Sequence, residues 1–145
     1  MLSISLNYIH LRCPSQLSPF LDVPLVAQVR TVFAFPETKT NPLPTSVREP
    51  LLYVEFFEVF GHPDEVMKMY KLRHKLHLGP DGFPHREGTV IPITAVTHAV
   101  ELILIYGIRH NRQATADVSL EMYNEFYLNN YSDKEWYHTM SQDYL

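Results

Sequence analysis

Apolar and polar residues alternate with a period of two over much of this chain, the pattern of half-buried strands rather than of amphipathic helices. Residues 25–35 carry it most cleanly. Leu25, Ala27, Val29, Thr31, Phe33 and Phe35 share one face, and Val26, Gln28, Arg30 and Val32 share a second, half-solvated one. Residues 51–60 are β-branched or aromatic on both faces, which predicts a central strand. Residues 66–78 predict a third strand. From residue 70 on, Tyr70, Leu72, His74, Leu76 and Leu78 point one way, and Lys71, Arg73, Lys75 and His77 the other. Residues 89–91 predict a short strand closing a hairpin with 66–78. Pro92 suits the first position of a helical turn over 92–98, and a further strand is expected over 100–106. Residues 3–11 also alternate, but they run into a Pro/Ser-rich stretch, so the first twenty residues read either as a strand or as a loose terminus.

Turn residues punctuate these runs. Pro36 ends the first strand, residues 37–50 form a proline-rich surface loop, and Gly61-His62-Pro63-Asp64 and Gly79-Pro80-Asp81-Gly82 are turns. The second of these loops is expected to run on through His85 to Gly88. Residues 108–117 read as a polar connector and 119–128 as an aromatic segment. Residues 132–142 predict a helix, with Ser132 and Glu135 as a capping box. The expected fold is mainly β: a small SH3-like or BAH-like bent barrel with a short helical turn and a C-terminal helix. Residues 21–110 would form the barrel, and 111–145 a connector and a terminal segment packed on it.

Length and composition narrow this picture. A chain of 145 residues, 46% hydrophobic and 19% charged, has room for one cored domain and is not disordered throughout. Eleven prolines leave no long helix before residue 93, which excludes a helical bundle. A net charge of −4 excludes a molecule that is basic overall. The single cysteine, Cys13, allows no intramolecular disulfide and fits a reducing compartment. The N-terminus lacks the basic start of a signal peptide. The longest apolar run, 51–60, contains Glu55 and Glu58 and falls short of the roughly 20 residues of a membrane span. A soluble, intracellular protein with no membrane partner is expected.

The candidate chemistry is sparse. Of eight histidines, His74 and His77 have close spacing but opposite faces, and His85 is near. With one cysteine, no metal site is expected. Glu55 and Glu58 lie on opposite faces of the central strand and are expected to pair with basic side chains on adjacent strands. No nucleophile elbow, phosphate-binding glycine loop or nucleotide fingerprint is present, so no enzyme, cofactor or small-molecule substrate is expected. The strongest physical signal is a local gathering of cations. Lys71, Arg73, Lys75, His77 and Arg86, flanked by Lys68 and His85, are the candidate phosphate or DNA contacts. The competing reading is a solvated edge face kept basic against aggregation. The aromatics Tyr123, Phe126, Tyr127, Tyr131, Trp136 and Tyr137 read as core packing that docks the terminal segment, in preference to a stacking platform for single strands.

Four segments, in order, carry a resemblance. Val26-Ala27-Gln28-Val29-Arg30-Thr31-Val32-Phe33 is the first and Leu51-Leu52-Tyr53-Val54-Glu55-Phe56-Phe57 the second. The third joins Val90-Ile91-Pro92-Ile93 to Val100-Glu101-Leu102-Ile103-Leu104-Ile105-Tyr106-Gly107. The fourth is Glu125-Phe126-Tyr127-Leu128-Asn129-Asn130-Tyr131-Ser132-Asp133-Lys134-Glu135-Trp136-Tyr137. The set resembles the C-terminal region of Plavaka-type transposases, encoded by CACTA-like DNA transposons of mushroom-forming fungi. Leu104 stands where that family commonly has proline. The zinc finger and RNase-H-like catalytic core of such a transposase have no counterpart in these blocks. The resemblance therefore implies a non-catalytic accessory module derived from a transposase, contacting DNA, chromatin or another part of the transposase, in the nucleus. A protein–protein interaction module, its surface the aromatic and apolar face near Tyr123–Tyr137, or a transposon remnant without selected activity, are the alternatives.

Overall fold

A computed structural model describes residues 4–11, 25–40, 42–105 and 118–129. Among the described residues nine strands follow one another: β1 (Ile4–Leu11), β2 (Leu25–Phe33), β3 (Leu51–Val59), β4 (Lys71–His74), β5 (Leu76–Leu78), β6 (Pro84–Arg86), β7 (Gly88–Pro92), β8 (Val96–Leu104) and β9 (Glu125–Asn129). A one-turn helix, α1 (Ser119–Met122), precedes β9, and 3-10 turns occupy Thr45–Val47 and Ile93–Ala95. The order in the main sheet is β2-β1-β8-β9-β4-β3-β7, and β2 also pairs with β3. The sheet thereby curls into a nearly closed, barrel-like form, which leaves few strand edges bare.

β3 is the central strand, as its two-sided apolar pattern predicts. One edge pairs with β2. The other is shared end to end: β7 pairs with Leu51 to Glu55 and β4 with Phe57 to Val59. The partner expected for residues 89–91 is therefore corrected. β7 lies on β3, and the hairpin is instead β5 with β6, where Leu76 faces Arg86, His77 faces His85 and Leu78 faces Pro84. At the branch point, Phe56 N–H donates to Glu87 O, Lys75 N–H to Phe56 O and Glu87 N–H to Lys75 O. These three bonds satisfy the backbone where β5 and β6 leave the barrel as a separate two-stranded ribbon.

The strand expected over 66–78 is shorter and interrupted. Asp64 accepts at Oδ1 from the backbone N–H groups of Val66 and Met67, and at its carbonyl from Lys68 N–H. This Asx-type turn holds Val66 and Lys68 out of the strand, with Lys68 in the left-handed region at φ 57°. The predicted inward face then holds only as far as His74. Leu72 and His74 are buried, whereas Leu76 and Leu78 are exposed because the ribbon carries them off the barrel.

The core has two parts. Phe57, Leu72, Val100, Leu102, Leu104, Phe126, Leu128 and Val26 form the larger one, with Tyr70 and Tyr123 against it. Ala27, Leu52 and Val54 form the smaller, with Phe56 and Ile91 packed on it. Adjacent residues Val26 and Ala27 thus enter different clusters, and Gln28 is buried too, so the first half of β2 is covered on both faces. The expectation of one half-solvated face fails there. A register shift between Val29 and Thr31 bends the strand, and its exposed part begins only at Arg30.

β9 is the element that the sequence pattern left as an unspecified aromatic segment. It slots between β4 and β8, and Phe126 and Leu128 are fully buried in the larger core. Burial of each is worth about 1.5–3 kcal/mol. Phe126 is thus core packing within a strand of the sheet itself; Tyr131, Trp136, Tyr137 and the predicted helix over 132–142 lie outside the described residues, as does the 108–117 connector. β1 has the strand form that residues 3–11 permitted, paired with β2 and β8. The turn expected over 92–98 is confined to Ile93–Ala95, and β8 starts at Val96, earlier than predicted. Residues 84–86, expected in a loop, are strand β6.

Candidate functional site

An open cleft of about 730 Å³ lies between the ribbon and the strands β2 and β3. Tyr53 and Glu55 of β3, Arg30 of β2, His77 and His85 of the ribbon and Glu121 of α1 line it. Turn chemistry shapes the ribbon tip. Gly79 N–H donates to Phe83 O and Gly82 N–H to Gly79 O, while Gly82 takes the left-handed φ of 80°. Asp81 Oδ1 accepts from Phe83 N–H, and both Asp81 oxygens lie 2.8–2.9 Å from His85 Nε2. The Phe83 N–H, then His85, hold the Asp81 carboxyl below its ordinary value.

Two arginines and two glutamates that line the cleft pair alternately with one another. Arg30 reaches Glu55 at 3.6 Å and Glu121 at 2.5 Å; Arg86 reaches Glu55 at 3.3 Å and Glu121 at 2.9 Å. Partial burial pushes the Glu121 carboxyl up, but the hydrogen bonds and charges of Arg86 and Arg30 outweigh it and leave the group below its ordinary value. The ring carries no net charge. It ties β2, β3, β6 and α1 together, four elements that no run of sequence connects.

The candidate contacts read from the sequence do not converge on one free basic surface. Arg73 Nε donates to Glu58 Oε1 at 2.6 Å and packs over the Phe60 ring. Lys75 pairs with Glu87 at 2.9 Å. Lys71 lies over the Tyr127 ring and within the field of Asp64. Arg86 belongs to the ring. His77 lies in the cleft, its ring 6.0 Å from that of His85. His74 is packed in the core between Phe57 and Phe126. Glu55 and Glu58 each pair with a basic side chain of a neighbouring element, as expected for the central strand.

Asp81 was visible only as a turn residue, and Arg30 only as part of a strand face. Glu121 joins Arg30 across 91 positions, a contact that local pattern does not encode. Among the described residues, no three His, Cys, Asp or Glu side chains are placed together so as to hold a metal ion. No helix among them is long and apolar enough to cross a membrane. The chain matches no protein-family model, no curated protein and no solved structure.

Proposed function

We propose that this chain is a non-catalytic binding and assembly module, with the β5–β6 ribbon as its contact element and another polypeptide as its partner. One contrast carries the proposal. Of the cations that the sequence singles out, Arg73, Lys75 and Arg86 are engaged in ion pairs within the chain, while the ribbon presents bare apolar side chains: Leu76 is 53% exposed, Leu78 75% and Phe83 68%. Exposed clusters of large apolar residues are characteristic of protein-binding surfaces. The resemblance to a transposase C-terminal region suggests the partner, the catalytic part of such a transposase, and nuclear work.

Direct contact with DNA is the second reading. It is favoured by the exposure of the Arg73–Glu58 and Lys75–Glu87 pairs, since exposed pairs are worth only about 0–1 kcal/mol and a phosphate can displace the carboxylate. Lys71, Arg73, Lys75, His77 and Arg86 would then make the contacts. Anisotropy of a labelled DNA duplex, titrated with the chain at rising salt, separates the two. Weak binding with a shallow salt slope is expected of the assembly module. Tight binding with a steep slope, lost in an R73Q/K75Q variant, would replace it with the DNA-binding reading.

A further inference from the structure

The ribbon register sets His77 and His85 directly opposite each other. Directly opposed residues on paired strands have their Cβ atoms about 4.5–5.5 Å apart, so both rings project from one patch of backbone. Their centres are 6.0 Å apart and their planes inclined by 35°. Imidazole nitrogen binds Zn²⁺ at about 2.0–2.1 Å, which puts a ring centre about 3 Å from the ion. Two rings on one ion therefore have centres about 5 Å apart at a tetrahedral angle and at most about 6.5 Å apart. The observed spacing is within reach by side-chain rotation alone.

The sequence pattern pairs His77 with His74, on the opposite face, and so hides this arrangement. The turn between the strands brings in the true neighbour. It also supplies what a ligating histidine ordinarily has behind it. The Asp81 carboxylate holds His85 Nε2, and metal-bound histidines commonly donate their second ring N–H to a carboxylate, which fixes tautomer and orientation. His85 then offers Nδ1. The ring lies close on Gly79, where a Cβ would fall 2.4 Å from His85 Cδ2. The same point lies 2.6 Å from Asp81 Oδ1, so the backbone at residue 79 packs against the Asp81–His85 contact. Arg30 and Arg86 add no net repulsion, because Glu55 and Glu121 neutralise them.

We propose that His77 and His85 form a two-histidine site for a divalent transition-metal ion such as Zn²⁺, with Asp81 as the positioning residue and water from the open cleft completing the coordination. Imidazole ligands favour this class of ion over Mg²⁺ or Ca²⁺. The site is independent of the partner proposed above, since it lies in the chain alone.

Titration of the purified chain with ZnCl₂, followed by calorimetry, tests it. One equivalent is expected to bind. H77A and H85A should each weaken binding at least tenfold, D81N by roughly tenfold or more, and H62A not at all. In a ¹⁵N–¹H correlation spectrum of the imidazole rings, Zn²⁺ should move the His77 and His85 signals and leave His62 in place. This second readout does not depend on any variant folding. Absence of binding by the unaltered chain, equal affinity in H77A and H85A, or ring signals that do not shift would each overturn the site. Unchanged affinity in D81N would remove Asp81 from it.

Discussion

Glu55 and Arg86 meet at 3.3 Å across 31 positions of sequence, joining the barrel wall to the base of the ribbon. Their side chains are 13% and 23% exposed, well below those of the Arg73–Glu58 pair on the same sheet. Solvent screens the two pairs differently, so their removal should cost different amounts. E55Q removes one of the two carboxylates that Arg30 and Arg86 share, the more buried one, and should lower stability by about 1–3 kcal/mol. E58Q should cost less than about 1 kcal/mol. Urea denaturation of both variants measures the difference, and equal costs would show that the ring is no more than surface pairing.

Phe126 and Leu72 stand opposite each other on β9 and β4, both fully buried. F126A should destabilise by about 3–5 kcal/mol and L72A by about 2–5 kcal/mol through lost burial and the cavity left behind. V66A, at the exposed Asx-type turn, should fall within about 0.5 kcal/mol of the parent. Chemical denaturation again decides. A mild F126A would mean that β9 is not part of the core.

Acid should weaken the fold through Asp64. The backbone N–H of Met67, then that of Val66, holds its carboxyl below the ordinary value of 3.8. A depressed folded value means that its stabilisation is complete above the unfolded pKa and is lost as pH falls through the lower folded one. Asn at this position keeps the accepting oxygen and removes the titration. The denaturation midpoint of the unaltered chain should therefore fall more steeply below about pH 4 than that of D64N. Parallel pH profiles would dismiss the Asp64 contribution.

Gly88 on β7 lies so close to β3 that a Cβ there would sit 2.6 Å from Val54 O and 2.7 Å from Tyr53 Oη. The first neighbour is strand backbone, which gives little. G88A should cost about 1–3 kcal/mol and loosen β7 from β3. At Gly61 there is open space but a left-handed φ of 67°, so G61A should cost about 1–2 kcal/mol from backbone strain alone. Amide hydrogen exchange separates the causes: faster exchange across β7 is expected for G88A and not for G61A.

The sequence made much of the barrel legible, because period-two patterns and proline punctuation are local signals. β2, β3, most of β8 and the β3–β4 turn all follow from them. What stayed hidden depends on contacts far apart in the chain. Alternation through Leu78 does not say that the barrel ends at His74, since leaving the sheet at Lys75 depends on Phe56 and Glu87 meeting it there. Phe126 reads as a docking aromatic, but its place between β4 and β8 is set by their edges. Basic residues at 71, 73 and 75 are legible as a stripe; the carboxylates that engage Arg73 and Lys75 come from another strand or loop. His77 and His85 became neighbours only through the ribbon register.

The ribbon as a protein-contact element is tested most directly by calorimetric titration of a purified catalytic region of a Plavaka-type transposase into this chain. Saturable binding is expected, abolished by an L78D/F83D double substitution on the exposed ribbon and retained in V66D. Equal binding by the L78D/F83D chain, or no binding at all, would contradict it.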